Sequence, residues 1–278
     1  MELSEIYTGN KTRISFEIFP PKNGDISTLF DELRILKKYK PALVSLTFSA
    51  DGSNSDFSLE ILRMILDLEL TPMPHFTGIC TSKEQALNHI IQIENMGIEN
   101  ILALRGNKVN KDDLGGFDFL YANEFVEYIK EKSTLAIGVG GYVEGHPESV
   151  SLEDDIINLK KKVEAGASAI FTSMFFDNNK FYKYVDSVRK AGIDLPIIAG
   201  IMPVQNLEHA KSLVKISGIK IPERLMTLLE KQPESTKPGI NYAIYQCKNL
   251  IDNKVSGLHF YTLNRSDMVS EIMDNIEI

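Results

Sequence analysis

Short apolar runs alternate with amphipathic segments along the whole chain. The apolar runs are rich in Val, Ile, Leu and Phe and are bounded by Pro, Gly or polar residues, a pattern typical of buried strands. The predicted strands are Arg13–Phe19, Ala42–Phe48, Met73–Thr77, Asn100–Leu104, Leu135–Val139, Ala169–Thr172, Pro196–Ala199 and Gly257–Tyr261.

The segments between these strands carry apolar residues at helical spacing. Leu29, Leu33 and Leu36 share one face of the first segment, and Ser82 has the position of a helix N-cap. The predicted helices are Ile26–Lys38, Leu59–Leu68, a helix from Ser82 to Asn95, Tyr121–Lys132, Leu152–Glu164, Phe181–Lys190, Leu207–Ile216, Glu223–Glu230, Tyr242–Asp252 and a last helix after Arg265.

This alternation predicts the fold class. Strands that alternate with helices indicate a parallel sheet, and a run of about eight such units closes into an α/β barrel. We therefore expect a (β/α)8 TIM barrel, with residues 1–278 forming a single catalytic domain. An open, doubly wound sheet is the alternative, but no Gly-x-Gly-x-x-Gly motif follows the first strand, which disfavours it.

Composition excludes several classes of protein. The net charge of −8, without a basic face, argues against nucleic acid as the main partner. Cys80 and Cys247 lack the spacing of a zinc site or a disulfide framework, which favours a reducing, cytoplasmic setting. No apolar run is long enough to span a membrane, and the acidic segment Met1–Glu5 does not resemble a signal peptide.

Glu17 stands inside the first predicted strand, just before two prolines that end it. Glutamate is a poor strand former, and its charge is costly to bury without a partner. One interpretation is an edge-strand carboxylate that reaches solvent. The other is a general acid whose pKa is raised by the apolar neighbours Phe16, Ile18 and Phe19.

Nearly every predicted strand ends in a polar side chain, and in α/β barrels the active site lies at these carboxyl ends. The side chains are Glu17, Thr47, His75, Arg105 with Asn107, Tyr142 with His146, Thr172 with Ser173, and Tyr261 with Arg265. The histidines lack metal-ligand spacing, so we expect no metal. One acid beside neutral donors and cations suits proton donation to a molecule whose redox chemistry comes from a cofactor.

A series of short motifs, in chain order, resembles the methylenetetrahydrofolate reductase family. The motifs are Phe16–Lys22, Val44–Phe48, Pro74–Thr77, Ala103–Gly106, Gly141–Glu148, Asn158–Ala167, Phe175–Asp177, Gly200–Val204 and His259–Arg265. The resemblance extends from about Arg13 to Met268. Motifs in register are far more specific together than any one of them alone.

The resemblance implies a flavin-dependent barrel that reduces 5,10-methylenetetrahydrofolate to 5-methyltetrahydrofolate. FAD would take hydride from NAD(P)H, and flavin N5 would then deliver it to the methylene carbon of the folate. Glu17 matches the family's general acid, which protonates folate N10 so that the five-membered ring opens to a 5-iminium cation.

Binding residues follow from the same resemblance. FAD-binding positions are matched by Thr47, His75, Arg105, Gly106, Asn107, Tyr121, Ala122, Gly140, Tyr142, His146, Asp155, Asn158, Lys161 and Lys162. Substrate-binding positions are matched by Glu17, Asn107, Ser173, Leu207, Tyr261 and Arg265. Arg105 and the two lysines suit the pyrophosphate of the cofactor.

Four residues differ from the family pattern, and one of them, Gly140, replaces another small residue and is expected to change little. Asn107 stands where Asp is usual, which removes a negative charge near the flavin and the substrate cation. A charge at about 4 Å is worth on the order of 4 kcal/mol at an effective dielectric constant near 20. Ser173 replaces a Gln, and Leu207 replaces an aromatic residue. We therefore expect the family's reaction with altered redox tuning.

Two alternatives stay open from the sequence. One is a flavin-free reductase on the same barrel, in which NAD(P)H passes hydride directly to folate. The other is a non-catalytic flavin- or folate-binding subunit of a larger complex, which Asn107 and Ser173 favour and Glu17 disfavours. A homo-oligomer and an electron-donating partner subunit are both compatible with the sequence. The sequence contains no motif that distinguishes a preference for NADH from one for NADPH.

Overall fold

A computed structural model describes residues 3–9, 11–22, 24–47, 55–79, 81–106 and 118–278. Over these residues, eight parallel strands form a closed barrel in which the order in the sheet is the order in the chain. The strands are β1 (Arg13–Ile18), β2 (Leu43–Leu46), β3 (Pro72–Thr77), β4 (Asn100–Leu104), β5 (Ala136–Gly141), β6 (Ala169–Met174), β7 (Ile197–Ile201) and β8 (Gly257–Tyr261).

Strand β8 closes the barrel by pairing with β1, which confirms the predicted fold and excludes the open sheet. In this pairing Ser15 aligns with His259 and Glu17 with Tyr261. The helices are α1 (Leu3–Ile6), α2 (Ile26–Lys37), α3 (Ser55–Asp67), α4 (Lys83–Asn95), α5 (Ala122–Lys132), α6 (Leu152–Glu164), α7 (Asn178–Lys190), α8 (Leu207–Ser217), α9 (Glu223–Lys231), α10 (Lys237–Asp252) and α11 (Ser266–Met273). No helix in the described part of the chain is long and apolar enough to cross a membrane.

Differences from the predicted elements lie mainly at their ends. The apolar pattern does not predict α1, because a single turn shows no periodicity. Helix α7 begins at Asn178 rather than Phe181, because the Asp177 side chain caps it by accepting from a backbone N–H in the first turn. Helix α10 begins at Lys237 rather than Tyr242, and β5 continues through Gly141.

The strands divide their side chains between two layers, because successive residues of a strand face opposite sides. Ile14, Phe16 and Ile18 of β1 belong to the apolar layer between the sheet and the surrounding helices. A second apolar cluster lies inside the barrel and includes side chains of α1. Tyr7, which follows α1, contacts Phe171 with ring centroids 5.8 Å apart and lies against Gly257, the first residue of β8. This cluster therefore closes the amino-terminal end of the barrel.

Candidate active site

Glu17 lies inside the barrel at the carboxyl end of β1, with 7% of its surface exposed. Its Oε2 atom is 3.7 Å from His75 Nε2 of β3 and 3.5 Å from His259 Nε2 of β8. Both imidazoles are buried. The carboxyl group therefore faces two histidine rings, and the apolar neighbours Phe16 and Ile18 point to the other side of the strand.

These neighbours determine the ionisation of Glu17. Burial raises the pKa of Glu17, but His75, His259 and the hydroxyl group of Thr47 together lower it by more, so the net shift is downward. Burial in turn lowers the pKa of His75. The expectation of a raised Glu17 pKa is thus wrong for the ligand-free chain, because the residues that face the carboxyl group are polar.

His259 is a site residue whose role the sequence does not reveal. Its Nδ1 atom is 2.8 Å from the Ser15 hydroxyl oxygen, and its Nε2 atom is 3.5 Å from the Ser45 hydroxyl oxygen. The ring edge also contacts the Phe171 ring at a centroid distance of 5.3 Å. Closure of the barrel alone brings this histidine beside Glu17. The sequence alone shows only a polar residue within an otherwise apolar strand, which does not indicate its partner.

A cavity of about 300 Å³ opens beside the barrel mouth, at the carboxyl ends of β4 and β5. Ten of the residues predicted to bind FAD line it, namely Arg105, Gly106, Tyr121, Ala122, Gly140, Tyr142, His146, Asp155, Asn158 and Lys162. The sequence did not indicate four further polar lining residues, Asn123, Glu148, Ser149 and Asp154. The structure therefore gathers most of the predicted cofactor residues into one site.

The wall of this cavity includes a buried amine. Lys162 donates a hydrogen bond of 2.5 Å to the Gly140 carbonyl oxygen. Burial lowers the pKa of Lys162 to about 8, although Asp155 acts in the opposite direction. Burial likewise raises the pKa of Asp155. Across the cavity, the His146 ring meets the Tyr142 ring edge-on, with centroids 4.6 Å apart.

Arg105 presents its guanidinium group to a carboxylate. Its Nη1 and Nη2 atoms lie 2.7 and 3.1 Å from the two carboxylate oxygens of Glu148, and this pairing raises the pKa of Arg105. A bidentate fork of this kind fits phosphate oxygens equally well. Lys161, by contrast, lies outside the cavity, where it donates to Asn158 Oδ1 over 3.0 Å.

Thr47 and His75 also lie outside the cavity, at the barrel mouth. His75 Nε2 and the Thr77 hydroxyl group are buried and have no hydrogen-bond partner among the described residues. Buried polar atoms normally have a partner, so these two indicate a ligand with polar edges. Together with Arg105 and Lys162 in the wall of the cavity, this donor set fits a flavin dinucleotide. Asn107 lies outside the described residues.

The residues predicted to bind folate lie on the opposite side of the mouth. Leu207 and Tyr261 pack against one apolar cluster that includes Met202 and Val204. The Tyr261 hydroxyl group donates to the Thr172 carbonyl oxygen over 3.0 Å, so its ring, rather than its donor, can face a ligand. Burial raises the pKa of Tyr261.

Two polar residues complete this side. Ser173 is half-buried on β6. Arg265 is partly exposed and pairs with Asp267, with Nη2 2.6 Å from Oδ2. A carboxylate ligand would therefore compete with Asp267 for this guanidinium group.

The comparison with known proteins agrees with this arrangement. The family model described as "Methylenetetrahydrofolate reductase" matches residues 2–277. The chain belongs to this family.

Bacterial and plant relatives match the chain at similar identity. The chain is 34% identical over 264 residues to the 5,10-methylenetetrahydrofolate reductase of Pectobacterium carotovorum subsp. carotovorum, covering 93% of this chain and 88% of the relative. It is 35% identical over 261 residues to the enzyme of the same name from Escherichia coli (strain K12), covering 92% and 87%. "Methylenetetrahydrofolate reductase (NADH) 1" of Arabidopsis thaliana is 34% identical over 299 residues, which cover 99% of this chain and 50% of the plant protein.

A solved structure supports the fold at low identity. An uncharacterized protein from Clostridium thermocellum, whose structure is described as binding two copies of 5-methyl-5,6,7,8-tetrahydrofolic acid, superposes with a TM-score of 0.67 at 12% identity. The match covers 99% of this chain and 97% of that protein.

In this member of the methylenetetrahydrofolate reductase family, the rim thus has two adjoining parts. One is a cavity with cations and aromatic rings, where Arg105 and Lys162 can neutralise anionic oxygens. The other is a buried carboxyl group in contact with imidazoles. Such a pair can hold a dinucleotide and transfer a proton to a neighbouring molecule.

Proposed function

We propose that the protein reduces 5,10-methylenetetrahydrofolate to 5-methyltetrahydrofolate, with FAD as its bound cofactor and NAD(P)H as the reductant. Family membership supports the reaction as a whole. The observation that carries the residue-level proposal is the position of Glu17, a buried carboxyl group at the barrel mouth between the predicted cofactor and folate sides.

Glu17 would be the general acid for opening the five-membered ring. Its proton goes to folate N10, the bond between N10 and the methylene carbon breaks, and the electron pair of that bond stays on N10. The 5-iminium cation that results takes one hydride at the methylene carbon. One proton and one hydride are thus consumed for each methyl group formed.

The proton must be on Glu17 before this step, whereas the ligand-free chain favours the carboxylate. Ligands that cover the rim remove the remaining solvent from a carboxyl group that is already 7% exposed, and desolvation raises a carboxyl pKa. Bound ligands would therefore favour the protonated form of Glu17, whose Oε2 atom lies 3.5 Å from His259 Nε2.

Residues of this chain would hold FAD without making covalent bonds to it. Arg105 and Lys162 would neutralise the pyrophosphate, and Asp155 and Asn158 would bind hydroxyl or amide groups. The buried Thr77 hydroxyl group and His75 Nε2 would bond to polar edges of the cofactor at the mouth. When bound, the flavin supplies hydride transfer between NAD(P)H and folate.

Flavin spectroscopy tests this function. The absorption spectrum of the purified protein is recorded with added FAD. The protein is then titrated anaerobically with NADH or NADPH, and afterwards with 5,10-methylenetetrahydrofolate. We expect bleaching of the flavin by the nicotinamide and its reoxidation by the folate. Absence of flavin binding together with direct folate reduction would establish the flavin-free alternative. Flavin or folate binding without either half-reaction would establish the non-catalytic one.

Substitution of Glu17 tests the assignment of the acid. We expect Glu17→Gln to slow reoxidation by folate by about 10²- to 10⁴-fold, the usual contribution of a general acid, and to spare reduction by the nicotinamide. Glu230→Gln, an exposed change on α9, is the matched control. Equal loss of both half-reactions in Glu17→Gln would contradict the acid role.

A further inference from the structure

The turn after β8, residues 262–265, is bonded to the backbone at Glu17 itself and at Phe19, two residues further along. Thr262 is buried, and its hydroxyl group donates to the Glu17 carbonyl oxygen over 2.6 Å. The backbone N–H of Thr262 donates to the same oxygen over 3.2 Å. The carbonyl group of the acid residue is therefore held by two donors from one neighbour.

Asn264 holds the chain two residues further along. Its Oδ1 atom accepts from the Phe19 N–H over 2.8 Å, and its Nδ2 group donates to the Phe19 carbonyl oxygen over 2.7 Å. One amide side chain thus makes the reciprocal bonds that a neighbouring strand would make. Strand β1 ends at Ile18, and Pro20 and Pro21 follow without N–H groups. The Asn264 side chain therefore extends the ladder past the end of the strand.

The turn achieves this with unusual backbone angles. Leu263 and Asn264 are both left-handed, with φ values of 53° and 55°. This region is disfavoured for leucine and is rarely occupied by two consecutive non-glycine residues. Such conformations persist where the surrounding bonds enforce them, and they are concentrated at functional sites. Here the enforcing bonds are those to Glu17 and Phe19.

We propose that Asn264 is a positioning residue that fixes the direction of the Glu17 carboxyl group relative to the two imidazoles and the bound folate. The bonds of Thr262 and Asn264 flank Glu17 on the β8 side, and on the β2 side the Thr47 N–H donates to the Ile18 carbonyl oxygen over 3.1 Å. Arg265, predicted to bind the substrate, belongs to the same turn. The turn therefore connects Arg265, a cation predicted to bind the substrate, to Glu17. This inference rests on the proposed function for its kinetic consequences.

Asn264→Gly is the decisive variant, because glycine keeps the left-handed conformation without strain and removes both side-chain bonds. We expect the rate of flavin reoxidation by folate to fall about 10- to 100-fold, because a small misplacement of a reacting group slows a reaction by this amount. The rate of flavin reduction by the nicotinamide and the KM for folate should not change. Asn264→Asp, which keeps the acceptor for the Phe19 N–H and loses the donor, should lie between Asn264→Gly and the parent chain.

Lys254→Gly is the matched control. Lys254 is exposed, has a φ of 58° and lies at the opposite end of β8, so it tests the effect of glycine at a left-handed position. We expect both half-reactions of this variant to match those of the parent chain.

A second readout needs no turnover. The ligand-free protein is labelled with ¹³C-glutamate, and its infrared carboxyl bands are recorded as a function of pH. The band that is missing from the spectrum of Glu17→Gln belongs to Glu17 and reports its titration. Asn264→Gly should shift this titration, because it changes the distances to His75 and His259, and Lys254→Gly should not. If the parent chain shows no folate reduction, the proposed function fails and the infrared shift alone decides the positioning role.

Two results would overturn the inference. One is an unchanged Glu17 titration in Asn264→Gly. The other is an equal slowing of both half-reactions, which would indicate a general structural role for the turn.

Discussion

Burial and two imidazoles act in opposite directions on the carboxyl group of Glu17, and the imidazoles, with the Thr47 hydroxyl group, have the larger effect. The histidines come from β3 and β8, one on each side of β1 within the closed barrel. A carboxyl group in this setting favours the ionised form in the ligand-free chain. As the proposed general acid, Glu17 would therefore need bound ligands to raise its pKa before it could donate a proton.

The Lys162 amine destabilises the ligand-free fold when it is charged. Its amine is buried in the cavity wall, and its pKa falls from 10.5 to about 8. Between these two values the unfolded chain binds the proton more readily, so stability rises with pH across that window. Below it, the charge on this amine destabilises the ligand-free fold by up to about 3 kcal/mol, since each pKa unit corresponds to about 1.4 kcal/mol.

We therefore expect Lys162→Met to raise the free energy of unfolding of the ligand-free protein at pH 7 by about 1–3 kcal/mol. The gain should shrink as the pH rises from about 8 towards 10.5. Affinity for FAD should fall, because a cation is lost from the cavity. Urea denaturation at several pH values measures the first effect and flavin fluorescence the second.

Lys161→Met is the control for this prediction, because Lys161 is the exposed neighbour on the same helix and lies outside the cavity. Its stability should change little at any pH. A pH-independent gain in Lys162→Met, or a loss at pH 7, would contradict the prediction.

Strand β5 ends in two glycines that meet different surroundings. A Cβ atom on Gly141 would press on the Tyr184 hydroxyl group and would lie 2.8 Å from Ile170 Cγ2. Tyr184 is fully buried, so it has little room to move. A Cβ atom on Gly140 would meet Leu104 Cδ2 at 3.4 Å, an ordinary contact. Close packing of α7 on the sheet thus requires glycine at the second position.

Gly141→Ala should destabilise the protein by about 1–3 kcal/mol, the usual cost of overpacking a core. Gly140→Ala should leave the free energy of unfolding within about 0.5 kcal/mol of the parent value. Urea denaturation of the ligand-free variants checks both. Equal stability of the two variants would show that Tyr184 can shift at no cost.

Elements of the fold were predictable from sequence to a much greater extent than contacts within the site. The alternation of apolar runs and helical segments predicts the eight strands and the barrel, because each unit repeats the same local physics. The rim residues followed from their positions at strand ends. His259, the Asn264 bonds and the Arg105–Glu148 pair were not predictable, because they depend on closure of β8 on β1 and on side-chain directions.

In the whole molecule, the two ends of the barrel have different roles. The carboxyl ends of the strands hold the acid and the cavity, and the amino-terminal end is filled by α1 and Tyr7. Leu3 of α1 is fully buried among side chains that line the inside of the barrel. In α/β barrels this end contributes stability, and the opposite end carries chemistry.

We expect Leu3→Ala to cost about 2–4 kcal/mol of stability, because it leaves a cavity at the base of the barrel, and to leave FAD affinity unchanged. Glu5→Ala, an exposed change on the same short helix, should alter neither quantity. Urea denaturation and flavin titration under conditions where both variants are folded provide the two measurements. A parallel loss of stability and FAD affinity in Leu3→Ala would show that the packing of α1 is coupled to the rim through the interior layers. A loss of stability with unchanged FAD affinity would show that the base of the barrel and the rim are not coupled.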